Sequence, residues 1–297
     1  MINMKVLVYG SLNIDLLFFV DRIVSPGETI SSRSFSKSAG GKGANQAAAL
    51  AKAGLPVYMA GKAGKDGLFL LELLEHYGVN TGMVVQYEGE TGQAVIQIDR
   101  NGQNSIVLNS GGNGQIKDEE IFKTINEFNA GDIIVLQNEI SNLKLIMESA
   151  KNKGMRVCFN PSPFNEKILA LPLNLANWLF VNEIEGAALA ELPPEAGLDK
   201  TLEKLVKCFP ETEIILTAGK DGALYGFGET RARCDAVKVK AEDTTGAGDT
   251  FTGFFLAARE RNMTASQALE IACRASSIAV TRKGAMESIP LAGEVFI

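Results

Sequence analysis

The apolar positions of this chain come in two rhythms. Short apolar runs predict strands, and longer stretches with apolar residues three and four apart predict helices. Residues 5–9 (KVLVY) predict a buried strand, broken by Gly10. Residues 11–15 (SLNID) then alternate polar and apolar, so Asn13 and Asp15 point to the same side of an extended segment. Pro26-Gly27 marks a turn, and 29–35 is expected to be a partner strand. An alanine-rich stretch, 44–53, predicts a helix. A strand at 57–60, a helix at 66–77 and a short strand at 84–85 follow. Residues 94–99 (AVIQID) and 105–109 (SIVLN) alternate on either side of Asn101-Gly102, a strong hairpin signal. Beyond Lys117 the rhythm is regular. Helices are predicted at 121–128, 143–153, 183–191 and 202–209, and strands at 133–136, 156–159, 178–181 and 213–217. A strand-like run at 236–240 precedes a long apolar helix pattern at 251–258. A last helix is expected from 265 to about 281, stopped by a glycine-containing turn.

Strands alternating with helices imply an α/β fold, a mostly parallel sheet with helices on both faces. The 94–109 hairpin interrupts that rhythm. It is expected to join the strands near 12–20 and 29–36 in a small β-sheet lid. The whole chain, 1–297, is read as one unit with lid strands from about 12–36 and 92–110. Ligands of such sheets bind beyond the C-terminal strand ends. Glu139, Asn160, Asn182, Glu185, Thr217 and Gly219 all fall at that edge.

Composition narrows the function. The chain has 297 residues, 46% hydrophobic and 22% charged, as in an ordinary globular protein with a sizeable core. Its net charge of −6 disfavours a nucleic-acid partner. No apolar run suggests a membrane span, and the N-terminus fits a first core strand better than a signal peptide. The four cysteines, Cys158, Cys208, Cys234 and Cys273, form no CxxC pair and are read as buried thiols of a reducing cytoplasm. The single histidine, His76, lies in a helical pattern and is expected at its surface. That removes an HExxH zinc site and disfavours a Ser-His-Asp hydrolase. No GxxxxGK[ST] occurs, and no GxGxxG follows a strand, so phosphates must be bound another way.

The best candidate is 243–253, DTTGAGDTFTG. A glycine-rich turn that opens a helix presents free N–H groups to an anion. Asp249 stands where that anion would sit. A carboxylate there repels a phosphate unless it meets a hydroxyl that attacks the phosphorus. Phosphoryl transfer to an alcohol follows, against the plain alternative of an Asp N-cap. Upstream, Gly40-Gly41-Lys42-Gly43 leads into a helix that carries Asn45 near its start. Glycines allow close backbone approach, and an amide side chain offers both donor and acceptor to a hydroxyl-rich ligand.

These two segments resemble the signatures of the ribokinase-like (PfkB) family of sugar and nucleoside kinases, the first in its ribokinase form. They stand in the family's order, some two hundred residues apart. The likeness runs from Gly10 to Pro290. It takes in GSLNID (10–15), PGET (26–29), LQNE (136–139), NPSP (160–163), NEIE (182–185), TAGKDG (217–222) and VTRKGA (280–285). The resemblance implies a Rossmann-like α/β domain with a β lid that often pairs in a homodimer. It implies ATP-dependent phosphorylation of D-ribose at O5, with Asp249 as base. Gly246, Ala247 and Gly248 would form the anion hole. Asn13, Asp15, Gly41, Lys42, Gly43, Asn45 and Glu139 would hold the sugar. Asn182, Thr217, Gly219, Lys220, Gly222, Gly248 and Cys273 would hold ATP, with Glu185 acting on Mg²⁺ through water. Asp243, Thr245, Ala279, Arg282, Gly284 and Ser288 would ring an activating monovalent cation, K⁺, largely through backbone carbonyls.

Three positions depart from the family pattern. Phe254 stands where a small residue is usual, Cys273 where histidine or asparagine is, and Gly246 where alanine is frequent. The competing readings are a kinase of another sugar or nucleoside (2-deoxyribose, fructose, adenosine) and a non-catalytic sugar sensor.

Overall fold

The computed structural model describes residues 4–297. The strands are β1 (Val6–Tyr9), β2 (Asn13–Phe19), β3 (Ser34–Gly40), β4 (Val57–Ala63), β5 (Asn80–Gln86), β6 (Gly92–Ile98), β7 (Asn104–Asn109), β8 (Ile133–Gln137), β9 (Arg156–Asn160), β10 (Trp178–Asn182), β11 (Glu213–Thr217), β12 (Ala223–Phe227) and β13 (Thr230–Cys234). Nine of them form one sheet in the order β13-β12-β11-β10-β9-β8-β1-β4-β5. From β11 to β5 every neighbouring pair is parallel, and the β12–β13 hairpin closes the far edge antiparallel. The helices are α1 (Lys42–Lys52), α2 (Leu68–His76), α3 (Asp118–Asn126), α4 (Leu143–Asn152), α5 (Glu183–Leu189), α6 (Leu198–Cys208), α7 (Ala247–Glu260), α8 (Ala265–Ala279) and α9 (Ala292–Val295).

Period-two alternation divides the core between the two faces of this sheet. Val6 and Val8 of β1 join a cluster with residues of α1, α7 and α8. Leu7 and Tyr9 join the other, with residues of α3, α4 and α6. Both faces are covered, so the parallel strands read as continuous apolar runs.

β1 lies between β4 and β8, where the chain turns back to build the other half of the sheet. The crevice beyond such a reversal is the expected ligand site. α1 and α7 meet over it. A Cβ on Gly43 would lie 2.4 Å from the Ser11 amide nitrogen, and one on Gly253 2.6 Å from Ala49 Cβ. These two glycines set how closely α1 approaches the end of β1 and how closely α7 approaches α1.

The second sheet, β3-β2-β6-β7, is the expected lid. β2 pairs parallel with β6, and the hairpin β6–β7 turns at the expected place.

Some expectations need correction. The partner strand predicted at 29–35 is instead Ser34–Gly40, running directly into the glycine turn before α1. The 236–240 run is not a strand. Val237 and Val239 are exposed there, and the β12–β13 hairpin just before it takes the sheet edge. Of the cysteines, Cys158 and Cys273 are buried, but Cys208 is exposed and Cys234 partly so; all four are free thiols. His76 is exposed at the end of α2, as expected. Among the described residues, no helix is long and apolar enough to cross a membrane.

Candidate active site

The start of α7 is the floor of the crevice. Gly246 caps it in the left-handed conformation, φ 73° and ψ 5°. Glycine adopts that conformation without strain, so glycine in place of the family's alanine suits the turn. Among the described residues, the amides of Gly246, Gly248 and Asp249 have no acceptor. The Ala247 amide is engaged by a long turn bond to the Thr244 carbonyl, 3.3 Å. Two of the three expected anion-hole donors are therefore free, together with the amide of Asp249.

Asp249 does not cap the helix. It is the third residue of the first turn, 6% exposed. Asn45 Nδ2 donates to its Oδ2 at 3.1 Å, and Gln46 Nε2 donates to its Oδ1 at 2.9 Å. The first turn of α1 thus holds the carboxylate at the first turn of α7. Asn45 Oδ1 is buried without a donor.

Glu139, beyond β8, lies at the N-terminus of α1. Its Oε2 accepts from the Lys42 amide at 3.1 Å and from the Ser11 hydroxyl. Ser11 Oγ in turn accepts from the Gly43 amide at 3.1 Å. Gly41 caps α1, and no side chain caps it. Burial pulls the Lys42 ammonium's pKa down, but the carboxylates of Asp249, Glu139 and Glu185 outweigh that and hold it above its ordinary value.

Asn13 and Asp15 share a face of β2, as the alternation implied. Asn113 Nδ2 donates to Asn13 Oδ1 at 2.7 Å, which leaves Asn13's amide hydrogens for a ligand. Burial, with Glu139's charge added, raises the Asp15 carboxyl to about 7. A cavity of about 390 Å³ opens beside these groups, lined by Asn13, Leu108, Asn113, Glu139, Ser141 and Pro163.

The residues expected to hold a nucleotide lie along the C-terminal ends of β10 and β11. Asn182 spends its side-chain oxygen capping α5, accepting from the Ile184 amide at 3.0 Å and the Glu185 amide at 2.8 Å. Glu185 is 6% exposed and returns one oxygen to the Asn182 amide at 3.1 Å. Thr217 Oγ1 donates to the Val181 carbonyl at 3.3 Å. Gly219 and Lys220 are exposed in the next turn. Gly222 is buried, and a Cβ there would lie 2.0 Å from the Cys234 carbonyl oxygen, so packing explains that glycine. Cys273 on α8 is buried against Cys234; burial pushes its thiol's pKa up. Asn160 only closes its own turn, accepting from the Ser162 amide at 2.9 Å.

The loops before α7 and after α8 are tied by Asp243. Its Oδ1 accepts from the Thr245 amide and hydroxyl at 2.9 and 2.7 Å, and its Oδ2 from the Gly284 amide at 3.1 Å. Burial alone would raise the Asp243 carboxyl, but these donors hold it below the usual range. The Ala279 carbonyl accepts from the Arg282 amide at 3.0 Å, and the Arg282 side chain pairs with Glu294 at 2.6 Å. Ser288 Oγ donates to the Ala285 carbonyl at 2.9 Å. Phe254, the other departure, is fully buried and stacks on Phe296, 6.0 Å between centroids.

Sequence reasoning did not single out Ser11, Gln46, Asn113 or Gln137. Ser11 and Gln137 lie inside the GSLNID and LQNE stretches and Gln46 directly follows Asn45, and that placement was the available signal. Asn113 carried none.

The pfkB family carbohydrate kinase profile matches residues 3–292. A ribokinase of Schizosaccharomyces pombe is 36% identical over 317 residues, covering 99% of this chain and 97% of that protein. A deoxyribokinase of Salmonella typhi is 30% identical, covering 97% and 96%. The structure of Arabidopsis thaliana ribokinase complexed with ribose and ATP superposes with a TM-score of 0.86 at 30% identity, covering 99% of this chain and 97% of the other. With a profile that spans nearly the whole chain, and a crevice that joins an amide-lined helix start to a buried carboxylate, the chain belongs to the pfkB family of carbohydrate kinases and is an ATP-dependent sugar kinase.

Proposed function

We propose that the chain transfers the γ-phosphoryl group of ATP to O5 of D-ribose. One observation carries this reading. The buried Asp249 carboxylate is held by two amide donors beside the free amides of Gly246 and Gly248. A structural carboxylate would need its donors but no free amides beside it, whereas an in-line transfer needs both. The ribose hydroxyls meet the Asn13 amide hydrogens, Asp15, Glu139 and the Asn45 amide, whose unpaired Oδ1 matches a hydroxyl donor. Gly41, Lys42 and Gly43 bring the backbone of α1 against the sugar. The Lys42 ammonium offsets the carboxylates around it.

As O5 attacks, the O5–P bond forms and the P–O bond to the departing ADP breaks. The O5 proton passes to Asp249, late in the step, because a carboxylate is too weak to remove it from the free alcohol. The amides at the start of α7 face the oxygens over which charge spreads. ATP lies along the ends of β10 and β11, against Asn182, Thr217, Gly219, Lys220 and Gly222, with Cys273 near the base.

Among the described residues there is no cluster of metal-ligating side chains. Glu185, with one oxygen uncommitted, fits Mg²⁺, which keeps most of its waters and takes a carboxylate and phosphates. When bound it neutralises phosphate charge. The oxygen-rich loops of Asp243, Thr245, Ala279, Gly284 and Ser288 fit K⁺, with Arg282 contributing backbone alone. We further infer a homodimer through the lid and a cytoplasmic setting that keeps the four thiols reduced.

ATP turnover against ribose, 2-deoxyribose, fructose and adenosine, each with and without K⁺, tests this reading. Ribose should give the highest kcat/KM. Asp249→Ala should fold normally and lose roughly 10²–10⁴ in rate, the range for a general base. Ribose binding without any turnover would point to a sensor instead. The likeness to a deoxyribokinase supports 2-deoxyribose as the second reading. A higher kcat/KM for 2-deoxyribose than for ribose would establish it.

A further inference from the structure

Behind Asp249 runs a line of buried amides that touches neither proposed substrate. Gln46 Nε2 donates to Asp249 Oδ1 at 2.9 Å, and Gln46 Oε1 accepts from Gln137 Nε2 at 2.7 Å. Both glutamines are fully buried, at 0% exposure. The line joins the last residue of β8 to the first turns of α1 and α7. It also depends on Gly10. A Cβ there would lie 2.2 Å from Gln137 Oε1, so only glycine at the end of β1 leaves room for that side chain.

The orientation of this line is fixed by its end. A carboxylate only accepts, so Gln46 must turn its NH₂ group toward Asp249 and its carbonyl oxygen away. That oxygen is buried and needs a donor, which Gln137 supplies. Flipping Gln137 would set two carbonyl oxygens face to face. In the orientation present, the unsatisfied group is Gln137 Oε1, buried without a donor at the end farthest from Asp249. The fold accepts an orphaned acceptor there, which ordinarily costs stability. It thereby keeps a donor on the carboxylate.

Asn45 is the other donor to Asp249, and it also faces the sugar. Its bond can change when substrate enters. Gln46 faces only protein, so its bond is the fixed one. We propose that Gln46 is a positioning residue that sets the carboxylate of Asp249 for the incoming hydroxyl, and that Gln137 sets the amide orientation of Gln46. The proposal rests on the reading of Asp249 as base.

The test is steady-state kinetics of the intact chain with ribose and ATP. Gln46→Met keeps the length of the side chain and removes the donor. It should lower kcat about 10–100-fold, the scale for a misplaced reacting group, and leave both KM values within about threefold. Gln137→Met lies one bond farther away and should show the same pattern with a smaller loss. In the Asp249→Ala background, adding Gln46→Met should leave the residual rate within about twofold, because residues that act as a unit are not additive. A normal kcat for Gln46→Met, with Asp249→Ala inactive, overturns the positioning role and leaves the base in place. So does a raised KM at unchanged kcat, or an additive loss in the double variant. Near-normal turnover of Asp249→Ala overturns the base reading itself. If Gln46→Met does not fold, Gln137→Met decides: a kcat equal to that of the unaltered chain overturns the proposal.

Discussion

Asp15 shows at the scale of one residue how binding and stability pull apart. Burial, with Glu139 adding repulsion, raises its carboxyl from 3.8 to about 7. A folded-state value above the unfolded one means that the folded chain keeps a proton which the unfolded chain releases between those two limits. This group therefore weakens the fold progressively as pH rises from about 4 to about 7, and the cost levels off above. Asp15→Asn should be more stable than the unaltered chain at pH 8, on the order of 2–4 kcal/mol, and equal to it near pH 4. Urea unfolding at both values checks this, and a stability difference independent of pH would contradict it. In the proposed sugar site the ionised carboxylate would accept two hydroxyls, so the KM for sugar should fall as pH rises from 6 to 8, and the Asn variant should lose that dependence. The pairing of Asn13 with Asp15 could be read from alternation alone. The amide contacts could not. Gln46 meets Asp249 from 203 positions away and Gln137 from 91, and no local pattern encodes such a meeting.

Among the elements, the crossing of α1 over α7 governs the site. It aligns Asn45 and Gln46 with Asp249, and Gly253 sets its spacing. A Cβ on Gly253 would lie 2.8 Å from the Ala49 carbonyl carbon, which is backbone and cannot turn aside. Gly253→Ala should cost about 1–3 kcal/mol in stability, as overpacking does. It should also lower kcat more than either KM, by prising the two first turns apart. A crossing that tolerates the methyl would show neither change in thermal unfolding and initial rates. The strands of the parallel sheet were legible because burial on both faces makes them plain apolar runs. The glycines before α1 and α7 were legible because turns demand them. The strand expected at 236–240 failed because alternation of valine and lysine states only what a strand could bear. Whether a neighbour exists to pair with it is settled elsewhere. The β12–β13 hairpin already holds the edge, turning at Gly228 with φ 50°. The strand after the Pro26-Gly27 turn begins later than expected because Ser34–Gly40 is polar and largely exposed, with no apolar rhythm to mark it.

For the molecule as a whole, the unsettled surface is the outer edge of the lid. β7 is the last strand of its sheet, so one side of its backbone is unpaired. Its Ile106, Val107 and Leu108 are 52%, 66% and 50% exposed, although they point alternately to both faces. An apolar edge strand open on both faces is a template for another strand, and proteins seldom leave one bare. Phe35, 54% exposed, adds to the apolar surface of the same sheet. A second copy of the lid is the occupant proposed here. Leu108 also lines the cavity beside Asn13 and Glu139, so a partner seated on β7 would narrow the opening of the proposed sugar site. Val107→Lys should therefore yield a monomer in sedimentation velocity. The sugar KM should rise several-fold while kcat stays near its original value, because Val107 is not among the residues proposed to act on the transferred group. If the unaltered chain already sediments as a monomer, or the variant dimerises as well as the parent, the lid edge must be covered by something other than its twin.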